Sequence, residues 1–251
     1  MTTDQLKAAL QLPAGCQVGK RVPKKLLVEN GAPTAADKRR INEGVEDLYW
    51  VATLKPTTVG VPAFRDDVRE YLEIAVMSAS LRDEADATRV VELIHRAIPY
   101  PVLLLTEQSE RRMRPELSAT HKRWSQSETG MTVLDGDVVA AEWDDERWPR
   151  AGDAFALSKQ PRASLYVLYQ GWIDALLALQ AAHVTGTFRL AASAAHAALR
   201  RSALKDLVLL DAEATGLRAN AAKQKQMSRR VELNQELKRV EAALAAARAN
   251  L

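Results

Sequence analysis

Three charged residues are of the kinds that support metal-dependent hydrolysis in other proteins. Glu73, Glu107 and Lys122 lie in or beside segments rich in strand-forming residues. Nucleases that use a divalent cation place carboxylates and a lysine on adjacent strands, where the cation activates a water molecule. The compact pairing of an acid with a lysine on one strand is missing, because Glu116 and Lys122 are six residues apart. The three residues are therefore catalytic candidates only for a degenerate nuclease, which ranks third among the functions considered.

Other catalytic and cofactor-binding motifs are absent from the sequence. It contains no phosphate-binding loop, no dinucleotide-binding glycine pattern and no nucleophile elbow. None of the four histidines lies at the spacing of a helical metal pair, and Cys16 is the single cysteine and has no acid–base partner nearby. We therefore expect no cofactor and no metal, and we interpret the chain as non-enzymatic.

Lysine and arginine are concentrated in two segments, although the formal net charge is only +3. Residues 20–40 contain seven of them against two acids, and residues 216–251 contain eight against three. An acidic stretch over residues 128–153 offsets both segments. Basic clusters can bind nucleic-acid phosphates, or they can be solvated helix faces. The candidate phosphate-binding residues are Lys24, Lys25, Lys38, Arg39, Lys122 and Arg123.

The pattern of apolar residues predicts an α+β fold with a mixed or mostly antiparallel sheet, packing helices and a long helical C-terminal tail. Apolar residues three, four and seven apart predict a helix from Asp86 to Ile98, which Pro99 ends. Glycines and prolines predict an irregular segment over residues 13–33. Strands are predicted at 48–54, 71–81, 102–106, 112–121, 131–134 and 138–143, with turns at Gln108-Ser109-Glu110 and Asp135-Gly136.

The tail has a different composition, since neither proline nor an aromatic residue occurs after Phe188. Apolar residues recur there at alternating steps of three and four, over 207–221 and again over 233–251. The two stripes are out of phase, so we predict a break between Gln224 and Arg230, either a helical hairpin or a stutter. The second stripe contains the candidate interaction residues Leu233, Leu237, Val240 and Leu244, which would allow self-association through the tail.

These patterns divide the chain into three parts. We predict an α+β domain over 1–160, a core helix over 161–188 that joins the domains, and a coiled-coil-like tail over 189–251. The apolar stretch from Leu165 to Val184 carries polar breaks, which favour a buried helix over a membrane span. The N-terminus lacks the basic start and apolar core of a secretory signal, so we expect a cytoplasmic protein.

Several short strings, in a constant order, carry a family resemblance. The first are Val22-Pro23-Lys24-Lys25-Leu26-Leu27-Val28-Glu29-Asn30-Gly31 and Thr34-Ala35-Ala36-Asp37-Lys38. The others are Leu54-Lys55-Pro56-Thr57-Thr58, Glu73-Ile74-Ala75-Val76, Ile98-Pro99-Tyr100-Pro101-Val102-Leu103-Leu104, Leu117-Ser118-Ala119-Thr120-His121-Lys122-Arg123 and Val231-Glu232-Leu233-Asn234-Gln235-Glu236-Leu237-Lys238. On these strings the chain resembles the domain of unknown function 4391 family, from about residue 17 to its end.

The resemblance implies a partner rather than a reaction. Members of this bacterial family look like genomic companions of helicase-type restriction subunits and DNA adenine methyltransferases. The expected function is therefore a non-enzymatic accessory subunit of a restriction-modification-like or phage-defence complex, docking on a helicase/nuclease or a DNA methyltransferase. The alternative is a protein that binds nucleic acid directly through its basic clusters.

Overall fold

The computed structural model describes residues 3–108, 112–144 and 146–251. The chain divides into two compact units after Leu179, inside the long helix that the sequence places at 161–188. Strands in the first unit are β1 (Gln17–Arg21), β2 (Val45–Leu54), β3 (Phe64–Arg65), β4 (Glu70–Tyr71), β5 (Ile74–Leu81), β6 (Val102–Gln108), β7 (Arg112–Trp124) and β8 (Thr132–Glu142). Helices are α1 (Thr3–Ala9), α2 (Lys24–Gly31), α3 (Ala35–Gly44), α4 (Pro56–Val59), α5 (Ala87–Ala97), α6 (Ala151–Phe155), α7 (Leu165–Thr185), α8 (Ala194–Lys223) and α9 (Met227–Ala249).

A mixed sheet forms the centre of the first unit. Over the described residues its strand order is β1-β2-β5-β6-β7-β8, and β3 pairs separately with β4. Strands β5 and β6 are parallel and are connected through α5, whereas the other neighbouring pairs are antiparallel. The predicted α+β class with a mixed sheet and a helical C-terminal part is therefore confirmed.

Helices α2, α3 and α5 cover one face of the sheet. Alternate apolar residues of β5 and β6, including Met77 and Leu104, join Leu93 and Ile94 of α5 in one buried cluster. Asp86 caps the first turn of α5 by accepting a hydrogen bond from the Arg89 backbone.

Close approach between α2 and α5 depends on a glycine. A Cβ atom added at Gly31 would lie 2.6 Å from the Leu93 carbonyl oxygen and 2.7 Å from the Ala97 Cβ. Only a residue without a side chain allows these helix backbones to approach so closely.

Helix α7 lies over the opposite face of the sheet. Leu165, Leu168 and Trp172 are buried, and the Tyr169 hydroxyl donates to the Val102 carbonyl of β6 at 2.6 Å. The predicted buried helix is therefore present. Among the described residues, no helix combines the length and apolarity that crossing a membrane requires.

Several local predictions were wrong. The segment predicted to be irregular contains β1 and α2. The strand predicted over 71–81 is interrupted after Tyr71, where Leu72 is exposed, and resumes at Ile74. The Asp135-Gly136 turn is absent, because β8 runs through it with a bulge opposite Ala119 and His121 in which Gly136 has a φ of 102°. The predicted turn at 108–110 extends outside the described residues.

The second unit contains an antiparallel helical hairpin. Helices α8 and α9 are separated by Gln224-Lys225-Gln226, within the predicted break, and Arg218 of α8 forms an ion pair with Glu241 of α9 at 2.8 Å. The apolar seam contains Leu207, Leu210, Ala214, Leu217, Leu237, Val240, Leu244, Ala247 and Leu251.

Candidate functional site

The two candidate acids lie at opposite ends of neighbouring strands. Glu73 immediately precedes β5 and forms an ion pair with Lys55 at 3.1 Å. Glu107 is near the end of β6, level with Ser80, whose hydroxyl donates to the Glu107 carboxylate at 3.2 Å. Seven residues along a strand separate Ser80 from Glu73, which corresponds to about 20 Å. The two carboxylates therefore cannot share one cation.

Lys122 is directed away from both acids. Its side chain is on the α5 face of the sheet, where its ammonium group donates to the backbone carbonyls of His95 and Ile98. Strand alternation places Glu107 on the opposite face from Leu104, which belongs to the α5 cluster. The structure thus separates Glu73, Glu107 and Lys122. Among the residues described, no group of three or more His, Cys, Asp or Glu is placed to hold a metal ion.

Burial changes the acid–base properties around Lys122. This residue is 2% exposed, and its burial together with the positive charge of Arg96 lowers the pKa of the Lys122 ammonium group to about 7. The neighbouring His95 is fully buried, and burial with the nearby Lys122 lowers the pKa of its imidazole to about 3. A neutral His95 ring contacts the Ser118 hydroxyl through Nε2 at 2.9 Å. The contacts of Lys122 and His95 join α5 to β7.

The candidate phosphate-binding residues separate into two groups. Lys24, Lys25, Lys38 and Arg39 are on α2 and α3, and the last three are exposed while Lys24 is half-buried. Lys25 forms an ion pair with Glu29 and Arg39 forms one with Glu43, which reduces the positive field of this surface. Lys122 is buried, and Arg123 is half-buried at 3.8 Å from Asp135. The proposed phosphate contact of Lys122 is therefore wrong, because its charge does not reach the surface.

A cluster of aromatic side chains beside β7 was not found from the sequence. The His121 ring stacks on Tyr166 with the ring centres 4.9 Å apart, and Tyr166 stacks on Phe64 at the same separation. The Tyr71 hydroxyl lies 2.5 Å from Nδ1 of His121. These residues come from β3, β4, β7 and α7, so only the folded chain brings them together.

A chain of hydrogen bonds runs through this cluster. Burial raises the pKa of Tyr71, and its hydroxyl forms a hydrogen bond with Nδ1 of His121. Nε2 of His121 forms a hydrogen bond with the side-chain oxygen of Gln170 at 2.8 Å, and the Gln170 amide nitrogen donates to Asp174 at 2.7 Å. The chain of hydrogen bonds fixes α7 against the sheet.

The candidate interaction residues of the tail face the chain itself. Val240, Leu244 and Leu237 contact the seam residues of α8, and Leu233 is buried near the hairpin turn. Self-association through this stripe would require the hairpin to open.

The outer surface of the hairpin carries exposed apolar side chains. Val208 is 71% exposed and Leu209 is 62% exposed on α8, while Met227 and Val231 are exposed at the beginning of α9. Cationic residues at or near the turn are Lys223, Lys225, Arg229 and Arg230. Residues outside the seam, rather than within it, are therefore available to a partner.

Comparison with known proteins gave one match. The family described as Domain of unknown function (DUF4391) matches residues 10–244, which confirms the resemblance drawn from the sequence strings. No curated protein matches the chain. No solved structure matches it either.

Proposed function

Since the chain belongs to the domain of unknown function 4391 family, we propose that it is a non-enzymatic accessory subunit of a restriction-modification-like or phage-defence complex. Its partner in this proposal is a helicase-type restriction subunit or a DNA adenine methyltransferase in the bacterial cytoplasm. The α+β unit and the α8–α9 hairpin would supply surfaces that hold the partner in the complex.

The exposed apolar surface of α8 is the observation that carries this proposal. Val208 and Leu209 are adjacent in sequence, lie outside the seam and are both mostly solvent-exposed. A contiguous exposed apolar surface on a folded protein commonly marks an interaction site.

The test is co-purification with a named partner. The tagged full chain is co-expressed with the helicase-type subunit or the methyltransferase encoded beside it, and the complex is isolated by affinity and size-exclusion chromatography. We expect a stoichiometric complex with the wild type and loss of most of it with the Val208→Asp and Leu209→Asp double variant. Replacement of the exposed Ala242 on α9 by Asp is the matched control. Failure of the wild type to retain either partner would contradict the proposal.

A second proposal is direct binding of nucleic acid through α2 and α3. It is supported by the cationic side chains of Lys24, Lys25, Lys38 and Arg39 on these two adjoining helices, of which Lys25, Lys38 and Arg39 are exposed. Exposed ion pairs such as Lys25–Glu29 contribute little free energy, so phosphate groups can compete for these cations. Lys122 is not part of this surface.

A further inference from the structure

Five uncharged residues lie along the outer face of α8. Val208, Leu209, Ala212, Gly216 and Ala219 follow one another at helical spacing, and every one of them is exposed. We call these five residues the α8 outer face. Four of them lie on the side of α8 away from the seam, and Leu209 is at the edge of this face, where it also lines the groove against α9.

Among the described residues, no close neighbour requires a glycine at position 216. It lies in the interior of the 30-residue helix α8, and an added Cβ would meet nothing within 4 Å. A glycine in a helix interior is less favourable than an alanine. Close approach of another backbone is one physical benefit that offsets this cost.

Exposed cations lie at both ends of the α8 outer face. Arg201 and Lys205 precede it, Lys223 follows it, and all three are exposed on the same side of the helix. Acids lie along one edge of this face. Asp206 and Leu209 both line the groove against Ala243 of α9, and Glu213 is four residues after Leu209 on the same flank.

We propose that the α8 outer face docks an amphipathic helix of a partner protein. That helix would have an apolar centre, which contacts Val208 and Leu209 and crosses α8 closely at Gly216, and acidic residues at its ends. Helices of this kind bind grooves and faces through apolar anchors spaced three and four residues apart. This inference specifies the contact surface of the proposed accessory subunit and rests on that proposed function.

Charge complementarity disfavours a second copy of this chain at the same place. In an antiparallel pair of α8 helices, Arg201 and Lys205 of one copy would approach Lys223 of the other. In a parallel pair, each cation would approach its own equivalent. Like charges in contact oppose either arrangement, whereas acidic ends on a partner helix would be attracted.

Variants at Gly216 separate docking from folding. Gly216→Ala should increase the thermal midpoint of the free full-length chain, because alanine favours helix and its Cβ has space. Gly216→Leu should leave the free chain folded but weaken its complex with the co-expressed helicase-type subunit or methyltransferase at least tenfold. The control Ala242→Leu, on the exposed outer side of α9, should change the affinity less than twofold.

Reversal of charges on α8 tests whether the partner helix has acidic ends. The Arg201→Glu and Lys223→Glu double variant should weaken the same complex at least fivefold, with a smaller effect at high salt. A photo-crosslinking residue at position 212 should join the chain to a helix of the partner flanked by Asp or Glu, whereas one at position 242 should not.

The possible results test the docking inference and the proposed accessory function separately. A wild-type complex that is unaffected by Gly216→Leu and by charge reversal would overturn the inference and leave the accessory function intact. No complex with either partner would overturn both. A homodimer in light scattering that Gly216→Leu dissociates would also overturn the inference, because the occupant would then be a second copy.

Discussion

Lys122 donates a hydrogen bond from its ammonium group to the Ile98 carbonyl oxygen at 2.5 Å, across the gap between β7 and the end of α5. Its second acceptor is the carbonyl of His95, in the last turn of the same helix. Carbonyls at a helix end lack partners within the helix and carry partial negative charge. A residue that the sequence suggested for catalysis or phosphate binding therefore stabilises the packing of the first unit.

The lowered pKa of Lys122 makes stability depend on pH. Its folded value of about 7 is below its ordinary value, so above pH 7 the unfolded chain binds more protons than the folded chain. The contribution of this group to the free energy of unfolding therefore increases as the pH rises from 7 to about 9.5. Urea denaturation over this pH range should show that the free energy of unfolding increases in the wild type and increases less in Lys122→Met. Parallel curves for the two proteins would contradict the assignment.

Asp37 and Arg89 connect α3 to α5 through two hydrogen bonds at 2.9 and 3.0 Å. The Arg89 guanidinium, with the Thr34 hydroxyl, lowers the pKa of Asp37 to about 2. Because the folded pKa is below the ordinary one, this stabilisation is present above pH 4 and is lost as the pH falls towards 2. Asp37→Asn should have a lower thermal midpoint at pH 6, and its difference from the wild type should shrink at pH 2. The exposed Glu84→Gln is the control, and a difference that stays constant with pH would refute this reading.

Tyr169 forms hydrogen bonds to two strands at once. Its hydroxyl donates to Val102 of β6 and lies 3.1 Å from both the amide and the carbonyl of Thr120 in β7. Removal of a buried hydroxyl leaves these backbone groups without a partner, so Tyr169→Phe should reduce the free energy of unfolding by about 1–3 kcal/mol. The more exposed Tyr100→Phe should change it by less than about 0.5 kcal/mol. Equal effects of the two substitutions in denaturant titrations would show that the Tyr169 hydroxyl is not holding the strands.

The second functional proposal predicts a particular dependence on salt. If α2 and α3 bind phosphates, the affinity for DNA or RNA should fall steeply with ionic strength. The Lys25→Gln and Lys38→Gln double variant should reduce that slope by about 2 in a plot of log affinity against log salt. The Arg65→Gln and Lys159→Gln variant removes the same charge elsewhere and should leave the slope unchanged. No shift of nucleic acid at low salt, or the same slope for both variants, would exclude this surface.

Local sequence signals were sufficient for elements whose boundaries depend only on residues within or next to them. The spacing of apolar residues from Val90 to Ala97 and the following Pro99 predicted α5. The out-of-phase stripes predicted the break between α8 and α9. The exposed edge strand β1 gave no alternating pattern, because all five of its residues face solvent. The pair Asp135-Gly136 was wrongly predicted to form a turn. Glycine permits the positive φ that both a hairpin turn and a β-bulge require, so the pair does not distinguish the two.

Contacts distant in sequence could not be predicted in this way. Tyr71 and His121 are 50 residues apart, and their hydrogen bond depends on β4, which belongs to the separate two-stranded pair, lying beside β7. Strand alternation also places Glu107 and Lys122 on opposite faces, although each looked suitable for a common site when only residue types were considered. Spatial grouping of side chains therefore had to come from the structure.

Hydrogen exchange of the full chain, with and without the co-expressed partner, tests the accessory-subunit proposal most directly. Binding through the hairpin should slow exchange of the α8 amides around Val208 to Ala219, while the amides of the buried strand β5 keep their rate. Unchanged exchange in α8 in a complex that demonstrably forms, or protection confined to α2 and α3, would contradict the proposal that this chain assembles through its hairpin.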